Sequence, residues 1–352
     1  MITYSIIIPT RNQSRKLRYC LDHISRLNFD PHLFEVLVID NGSTDDTEKV
    51  AVSFRETISN MQYHHCRSPG LMAARHMGFD NATGDILCYL DDDSLVAETW
   101  LEGISDSFRD DDIIIAGGPC IPRYEVAPPR WIAYFWDDVE YGQTNGFLSL
   151  LDLGNEIRLI DPIYIYGCNF SIRKNTFLEY GGTCPDYYPK NYQQFQGMGE
   201  SALTIRLRHA GIKALYNPKT KIEHLIPPDR LSTEYFVWRM FYSGIHDSYW
   251  KIRNEHCVED SCIHKKPPLL KYARNVSFRI FCEATCVLRG GDSRVVSAYH
   301  RHISKRGRDI KKSYKKGFSY HQLEAKNDAL LLEWILRDNY LGNNGDLPIN
   351  TA

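Results

Sequence analysis

Residues 85–93 read Asp-Ile-Leu-Cys-Tyr-Leu-Asp-Asp-Asp (DILCYLDDD). A short unbroken apolar run bounded by charge predicts a strand buried on both faces. Asp91, Asp92 and Asp93 close that strand abruptly. Adjacent carboxylates repel one another, so something must offset the cost, and a hard divalent cation with its preference for oxygen ligands is the natural partner. Mg2+ or Mn2+ takes few protein ligands and completes its shell with water and substrate phosphates. A solvated acidic turn ahead of a helix is the competing account; the position directly after a buried strand weighs against it.

Upstream, the same construction recurs. SIIIPT (Ser5–Thr10) and FEVLVID (Phe34–Asp40) read as buried strands, and MQYHHC (Met61–Cys66) as a third. Between them Leu17, Cys20, Leu21, Ile24 and Leu27 recur at helical spacing, as do Val50, Phe54 and Ile58. Ser43 or Thr44 can cap the latter helix, whose first turn carries Asp45, Asp46 and Glu48 as the helix dipole favours. Leu71–Ala82 reads as a helix that ends at Gly84. Strand and helix in alternation predict a mostly parallel sheet with crossover helices. Such open sheets bind ligands beyond the C-terminal ends of their strands. That rule singles out Thr10 and Arg11, then Asp40 and Asn41, then Asp91–Asp93.

Downstream, residues 119–162 are rich in Pro, Gly and Trp and read as irregular, in part a flap or acceptor loop. IYGCNFSIRK (Ile165–Lys174) returns to a strand. Glu200–Ala210 reads as a helix with Leu203 and Leu207 on one face, stopped by Gly211. From Ser232 onward the pattern is almost wholly helical. The expected organisation is one α/β unit over 1–230, in two halves (1–118 and 119–230), followed by a helical region over 231–352.

Composition narrows the partners. A formal net charge of -2 gives no global pull towards nucleic acid or a bilayer. The 22 Tyr and 6 Trp either fill a core or stack on a base or sugar. The 10 Cys include no C-x-x-C pair, and Cys88 and Cys168 sit in apolar runs where a thiol acts as a small hydrophobe. His256, Cys257, Cys262, His264, Cys282 and Cys286 cluster without a common zinc spacing and are expected to pack or face solvent. So many unpatterned thiols suit a reducing cytosol. The chain enters an apolar run at Ile6 without a basic leader, and its apolar stretches fall short of the roughly 20 residues of a spanning helix. A cytoplasmic location is the expectation.

SIIIPTRN, VLVIDNGSTDDT, ARHMGFDNATGDILCYLDDD, GCNFSIRKNTFLEYGG and GMGESALTIRLRHAGIKALYNPKTKIEH occur in that order. Together they resemble the inverting family-2 glycosyltransferases, whose catalytic domain is the Rossmann-like GT-A α/β fold. The likeness covers roughly residues 1–250, and five motifs in family order are specific where one would be weak. The resemblance implies a nucleotide-sugar donor, commonly UDP-linked, and Mn2+ or Mg2+. It places Asp40 at the nucleobase, Pro9, Thr10 and Arg11 at the mouth of that pocket, and Arg75 near the base or diphosphate. Asp91 and Asp92 match the ribose side of the family's DxD motif. Asp93 matches the metal side, and His224 matches a family histidine that completes the metal's coordination or contacts the diphosphate, a lone histidine being otherwise a structural residue.

The catalytic base departs from the family pattern G-E-D-x-E-L-x-x-R-L, in which the Asp is the base. Aligning on Arg206-Leu207-Arg208 sets Glu200 at that position, with Gly199 and Ala202 where the family has glutamates. An alternative register leaves Ser201 there, and a serine cannot act unaided. A first-turn Glu favoured by the helix dipole is the structural account of the same residue. Arg230 and Arg239 are candidates for the diphosphate, since guanidinium matches phosphate geometry, or are ordinary surface arginines. Trp131 and Trp136 in WIAYFWDDVEY, with Asn169, are the acceptor-side candidates. A carbohydrate, lipid-linked or natural-product acceptor is compatible with all of this.

Within Ala298–Lys316, Arg301, Lys305, Arg306, Arg308, Lys311, Lys312, Lys315 and Lys316 face one acid, Asp309. A basic helix of this kind can lie on an anionic membrane, at the inner face for a cytoplasmic protein, or be a solvated or partner-binding surface. Val276, Ile280, Ala284 and Val287 form a modest apolar stripe suited to internal packing or a homodimer contact. Two rival functions compete with transfer. A nucleotidyl-sugar pyrophosphorylase would carry a Gly-rich loop near its N-terminus, and SIIIPTRNQS has no glycine. A non-catalytic sugar-nucleotide binder is consistent with Gly199 and Ala202 but not with an intact Asp triplet and Glu200.

Overall fold

The computed structural model describes residues 2–184, 195, 199–256, 293–337 and 340–341, with 293–306 described as backbone. Strands β1 (Tyr4–Thr10), β2 (Phe34–Asp40), β3 (Met61–His65) and β4 (Ile86–Leu90) alternate with helices α1 (Ser14–Ile24), α2 (Thr47–Ser53) and α3 (Leu71–Asn81). Then come β5 (Ser94–Val96), α4 (Trp100–Ser107), β6 (Ile115–Gly117), β7 (Cys120–Tyr124), β8 (Asp137–Val139), β9 (Gly142–Asn145), β10 (Leu150–Asp152) and β11 (Arg158–Ile160). β12 (Asn169–Arg173), α5 (Lys174–Glu179), α6 (Gly199–His209), β13 (Ala214–Tyr216) and β14 (Ile222–Ile226) complete the α/β part. Helices α7 (Thr233–His256), α8 (Ser293–Asn327) and α9 (Ala329–Ile335) follow.

The main sheet has the order β11-β13-β6-β12-β4-β1-β2-β3. β1 is parallel to both β2 and β4, and β2 to β3, while β12 runs antiparallel between β4 and β6. Every residue of β1 is buried, which is why its sequence shows no alternation. Register then sets the site. Thr10 lies opposite Asp40, and Ile7 opposite Tyr89, so three residues on Thr10 reaches the level of Asp92.

A second, six-stranded sheet has the order β5-β14-β7-β10-β9-β8. It corrects the expectation that 119–162 is irregular. The segment builds β7 to β11, and its strands are three to five residues long, too short to show a period. Its core is an aromatic cluster of Trp131, Phe135, Phe147 and Phe236 with Ile310, so the helical region shares a core with this sheet. α7 and α8 run parallel, since Ser313 donates to the Val237 carbonyl and Gln322 to that of Ser248. They touch backbone to backbone: a Cβ on Gly317 would lie 2.0 Å from the Phe241 carbonyl oxygen, and one on Gly244 2.2 Å from that of Tyr314. The apolar stripe 276–287 and the cysteines from Cys257 to Cys286 lie outside the described residues.

Candidate active site

Four strand ends meet at one edge of the main sheet. At the end of β1 the Thr10 hydroxyl donates to Asp92 Oδ2 at 2.6 Å. At the end of β2 Asp40 accepts from the Ser43 N–H at 2.8 Å and from the Tyr63 hydroxyl on β3 at 2.5 Å. Both Asp40 oxygens are thus held, and the carboxylate is buried. Asn41 beyond it accepts from the Gly70 N–H and donates to the Ser68 carbonyl, fixing the loop into α3. Pro9 is buried within β1, and Arg11 stands exposed just past it.

Arg75 is the hub. It sits on α3 with its side chain 1% exposed. Its Nη2 donates to Asp91 Oδ1 at 2.9 Å and to the Gly167 carbonyl at 3.1 Å, and its Nη1 to Glu200 Oε2 at 2.9 Å. One guanidinium therefore joins the Asp cluster to the candidate base. The backbone approach at 167 is close: a Cβ there would lie 2.4 Å from Arg75 Nη2 and 2.8 Å from Glu200 Cδ. Only glycine fits. The Gly167 N–H donates to Glu200 Oε1 at 3.2 Å. Burial pushes the Glu200 carboxyl up, but Arg75 and the backbone N–H groups outweigh it and hold it below the ordinary value. At Asp91 burial wins over Arg75 and the carboxyl is raised.

Asp93 points the other way. Antiparallel pairing of β14 with β5 sets His224 opposite Ser94, and His224 Nε2 reaches Asp93 Oδ1 at 3.2 Å. Arg230, in the turn Pro228–Leu231, forks across both: Nη2 to Asp93 Oδ2 at 3.1 Å and Nη1 to His224 Nε2 at 3.1 Å. Lys16 Nζ adds a second cation at 3.5 Å from Asp93. Burial alone would raise the Asp93 carboxyl, but His224, Arg230 and Lys16 hold it well below the usual range. Its neighbour Asp92 is driven up, by burial first and then by the charge of Asp93. Unequal surroundings thus separate two adjacent carboxylates.

His224 Nδ1 lies 3.0 Å from the Leu148 carbonyl and donates to it. Nε2 lies between Asp93 Oδ1 and Arg230 Nη1, so the Arg230 guanidinium is already set against both the imidazole and the carboxylate. An imidazole and a carboxylate oxygen are suitable ligands for Mn2+. Among the described residues no group of three or more His, Cys, Asp or Glu side chains is arranged to hold a metal. A cation held by His224 and Asp93 would have to draw its remaining ligands from phosphate and water.

The sequence-derived acceptor candidates divide. Asn169 is buried in the core: its Oδ1 accepts from Trp100 Nε1 at 2.9 Å and its Nδ2 donates to the Thr220 carbonyl at 2.7 Å. With both ends of its amide engaged, it ties β12 to α4 within the core. Trp131 is likewise buried, edge-on to Phe135 and Phe236, and packs the second sheet. Trp136 stays half-buried on the flank of that cluster. Arg239 Nη2 lies 3.4 Å from the Gly146 carbonyl. Lys16 is a site residue that sequence reasoning misses. The available signal is a lysine in the first turn of α1, where the dipole disfavours a cation unless an anion compensates it.

Comparison with known proteins identifies the family and the fold. The family described as "Glycosyl transferase family 2" matches residues 5–180. A glucosyl-dolichyl phosphate glucuronosyltransferase of Haloferax volcanii is 21% identical over 274 residues, 76% of this chain and 83% of the relative. The succinoglycan biosynthesis protein ExoM of Rhizobium meliloti is 26% identical over 210 residues, 59% of this chain and 62% of the relative. Among solved structures, the mannosyltransferase PcManGT from Pyrobaculum calidifontis, in complex with GDP-Man and Mn2+, superimposes with a TM-score of 0.55 at 17% identity. That match covers 92% of this chain and 88% of the other, and it shows the shared GT-A-type fold. The chain belongs to glycosyl transferase family 2, whose members move a sugar from a nucleotide donor to an acceptor.

Proposed function

We propose that this glycosyltransferase moves the sugar of a UDP-linked donor, with inversion, onto a hydroxyl of a lipid-phosphate-linked glycan, with Glu200 as base. The observation that carries the reading is the Arg75 bridge, which sets Glu200 beside the Asp triplet. Glu200 Oε2 is anchored by Arg75, whereas Oε1 holds one N–H at 3.2 Å and keeps a second lone pair. Oε1 is the atom that takes the proton of the attacking hydroxyl. As the new C–O bond forms at the anomeric carbon, the bond to the diphosphate breaks and its electron pair leaves with the phosphate oxygen. Attack opposite the leaving group inverts the centre. General-base help of this kind is worth roughly 100-fold to 10,000-fold.

Asp93 and His224 would hold the divalent cation, which when bound supplies Lewis-acid neutralisation of the leaving diphosphate. Arg230 and Lys16 stand beside that site and add charge of the same sign. Asp40, with Tyr63 and Ser43 fixing both oxygens, presents a rigid acceptor to the base N–H. The dolichyl phosphate named for the Haloferax relative supports the lipid-linked acceptor, and the Mn2+ bound in the mannosyltransferase complex supports the metal.

Calorimetry with UDP, and with GDP as the rival, tests the donor site with and without Mn2+. Manganese-dependent UDP binding that Asp93→Ala abolishes is the expected result. Binding indifferent to both metal and Asp93 overturns the metal role. Glu200→Gln should keep UDP affinity and lose turnover; an active Gln variant removes Glu200 as base.

A further inference from the structure

α8 sorts its residues by face. Ile310, Gly317, His321 and Ala325 are buried against α7 and the catalytic unit, while Arg308, Lys311, Lys312, Lys315 and Lys316 are all exposed. At 3.6 residues per turn those five cations form one stripe opposite the buried one. The stripe continues in register to Leu323, 56% exposed. On α7, one residue from the Val237 carbonyl that accepts from Ser313, Trp238 is 50% exposed with Tyr235 and Tyr242 at its ring. Among the described residues these five cations have no ion-pair partner. A chain whose net charge is only -2 thus concentrates cations, an exposed Leu and an exposed Trp on one helical layer. No described helix is long and apolar enough to cross a bilayer.

We infer that this face of α8 docks on an anionic lipid surface. The charge is complementary to phosphatidylserine-type or phosphatidylglycerol-type headgroups. An exposed Leu in line with a basic stripe suits the headgroup boundary. A nucleic acid would be met by the same cations, but the exposed leucine would gain nothing from it. The buried side of α8 explains why docking matters for chemistry. Ile310 packs in the same cluster as Trp131, Phe147 and Phe236, and the residue after Phe147 supplies the carbonyl that orients His224. The membrane face is thereby fixed rigidly to the second sheet, on whose strand β14 His224 sits. The inference rests on the lipid-linked acceptor only for its purpose, because docking itself requires no substrate.

The test is co-sedimentation of the full chain with vesicles of phosphatidylcholine alone or with phosphatidylserine added. The quadruple variant Lys311→Gln/Lys312→Gln/Lys315→Gln/Lys316→Gln is compared with the wild type. Binding should require phosphatidylserine, weaken with salt, and fall about fivefold per cation removed, on the order of several hundredfold for the variant. UDP binding by the variant should match the wild type, showing that the fold is kept. Equal binding to neutral vesicles, or an unaffected variant, overturns the inference. So does single-stranded DNA that displaces the protein from vesicles at equal phosphate. Vesicle binding without UDP binding would sink the donor site alone, and the reverse would sink the docking face alone.

Discussion

Replacing Arg75 by Met removes the one group that joins the Asp cluster to Glu200. The guanidinium is 1% exposed, and the carboxylates it bridges are 29% and 25% exposed. Breaking a fully buried ion pair by deleting one partner costs about 3–5 kcal/mol, because the remaining charge stays uncompensated. Partial solvent access to both carboxylates reduces this, so a loss of about 2–4 kcal/mol is expected. Met spans a similar length, so packing loss adds little. The catalytic effect is separate. Glu200 loses the anchor on Oε2, and misplacement by about 1 Å can cost on the order of 100-fold. It also loses the charge that holds its carboxyl low. Burial is then opposed only by the backbone N–H groups, so the folded-state pKa of Glu200 moves upward. In the wild type the base stays ionised to a pH below its ordinary value, so its contribution to the acid limb of kcat/KM lies low. In Arg75→Met that limb moves to higher pH. The assay is nucleoside diphosphate release across pH, beside urea unfolding. Arg75→Lys keeps the charge but cannot fork, so it should restore stability more than rate. A folded Arg75→Met with an unchanged acid limb and unchanged kcat would refute the assignment of Glu200 as a base positioned through Arg75.

Gly167→Ala should lower kcat by at least about tenfold, because the new Cβ displaces the Arg75–Glu200 pair, and cost about 1–3 kcal/mol by overpacking; unchanged kinetics would show that the pair is not needed in place. Burial lowers His76 to about 4 and His321 to about 4 from an ordinary 6.5, so the fold binds these protons less readily than the unfolded chain. Stability is full above pH 6.5 and falls by up to about 3 kcal/mol per histidine as pH drops to 4. Urea midpoints at stepped pH measure this, and His76→Gln should flatten the slope.

The donor half of the site is legible because its information is local. β1 to β4 announce themselves as apolar runs, and parallel register brings Thr10, Asp40 and the Asp triplet to one edge without further instruction. Arg75 is legible but its partner is not: Glu200 lies 125 residues away, and no local pattern says which carboxylate a buried guanidinium will meet. Arg230 is expected at the diphosphate, and the structure sets it on Asp93 and His224. Asn169 misleads for a related reason. A polar residue at the start of an apolar strand near a site reads as a ligand contact, yet Trp100 and Thr220 satisfy it in the core.

The second sheet shows why the acceptor side resists reading. Its strands are three to five residues long, so no hydrophobic period can develop. Their order places β14 between β5 and β7, and every such pairing joins segments distant in sequence. The aromatic cluster beneath them is completed by Phe236 of α7 and Ile310 of α8, so whether Trp131 faces substrate or core is decided some hundred residues later. Parallel strand ends fix the donor chemistry through backbone register, a local and repeated geometry. The acceptor side is fixed by side-chain packing among elements that individually lack stable identity. In this chain Phe236 of α7 and Ile310 of α8 close the core of the second sheet, so these two helices decide which of its side chains are left exposed.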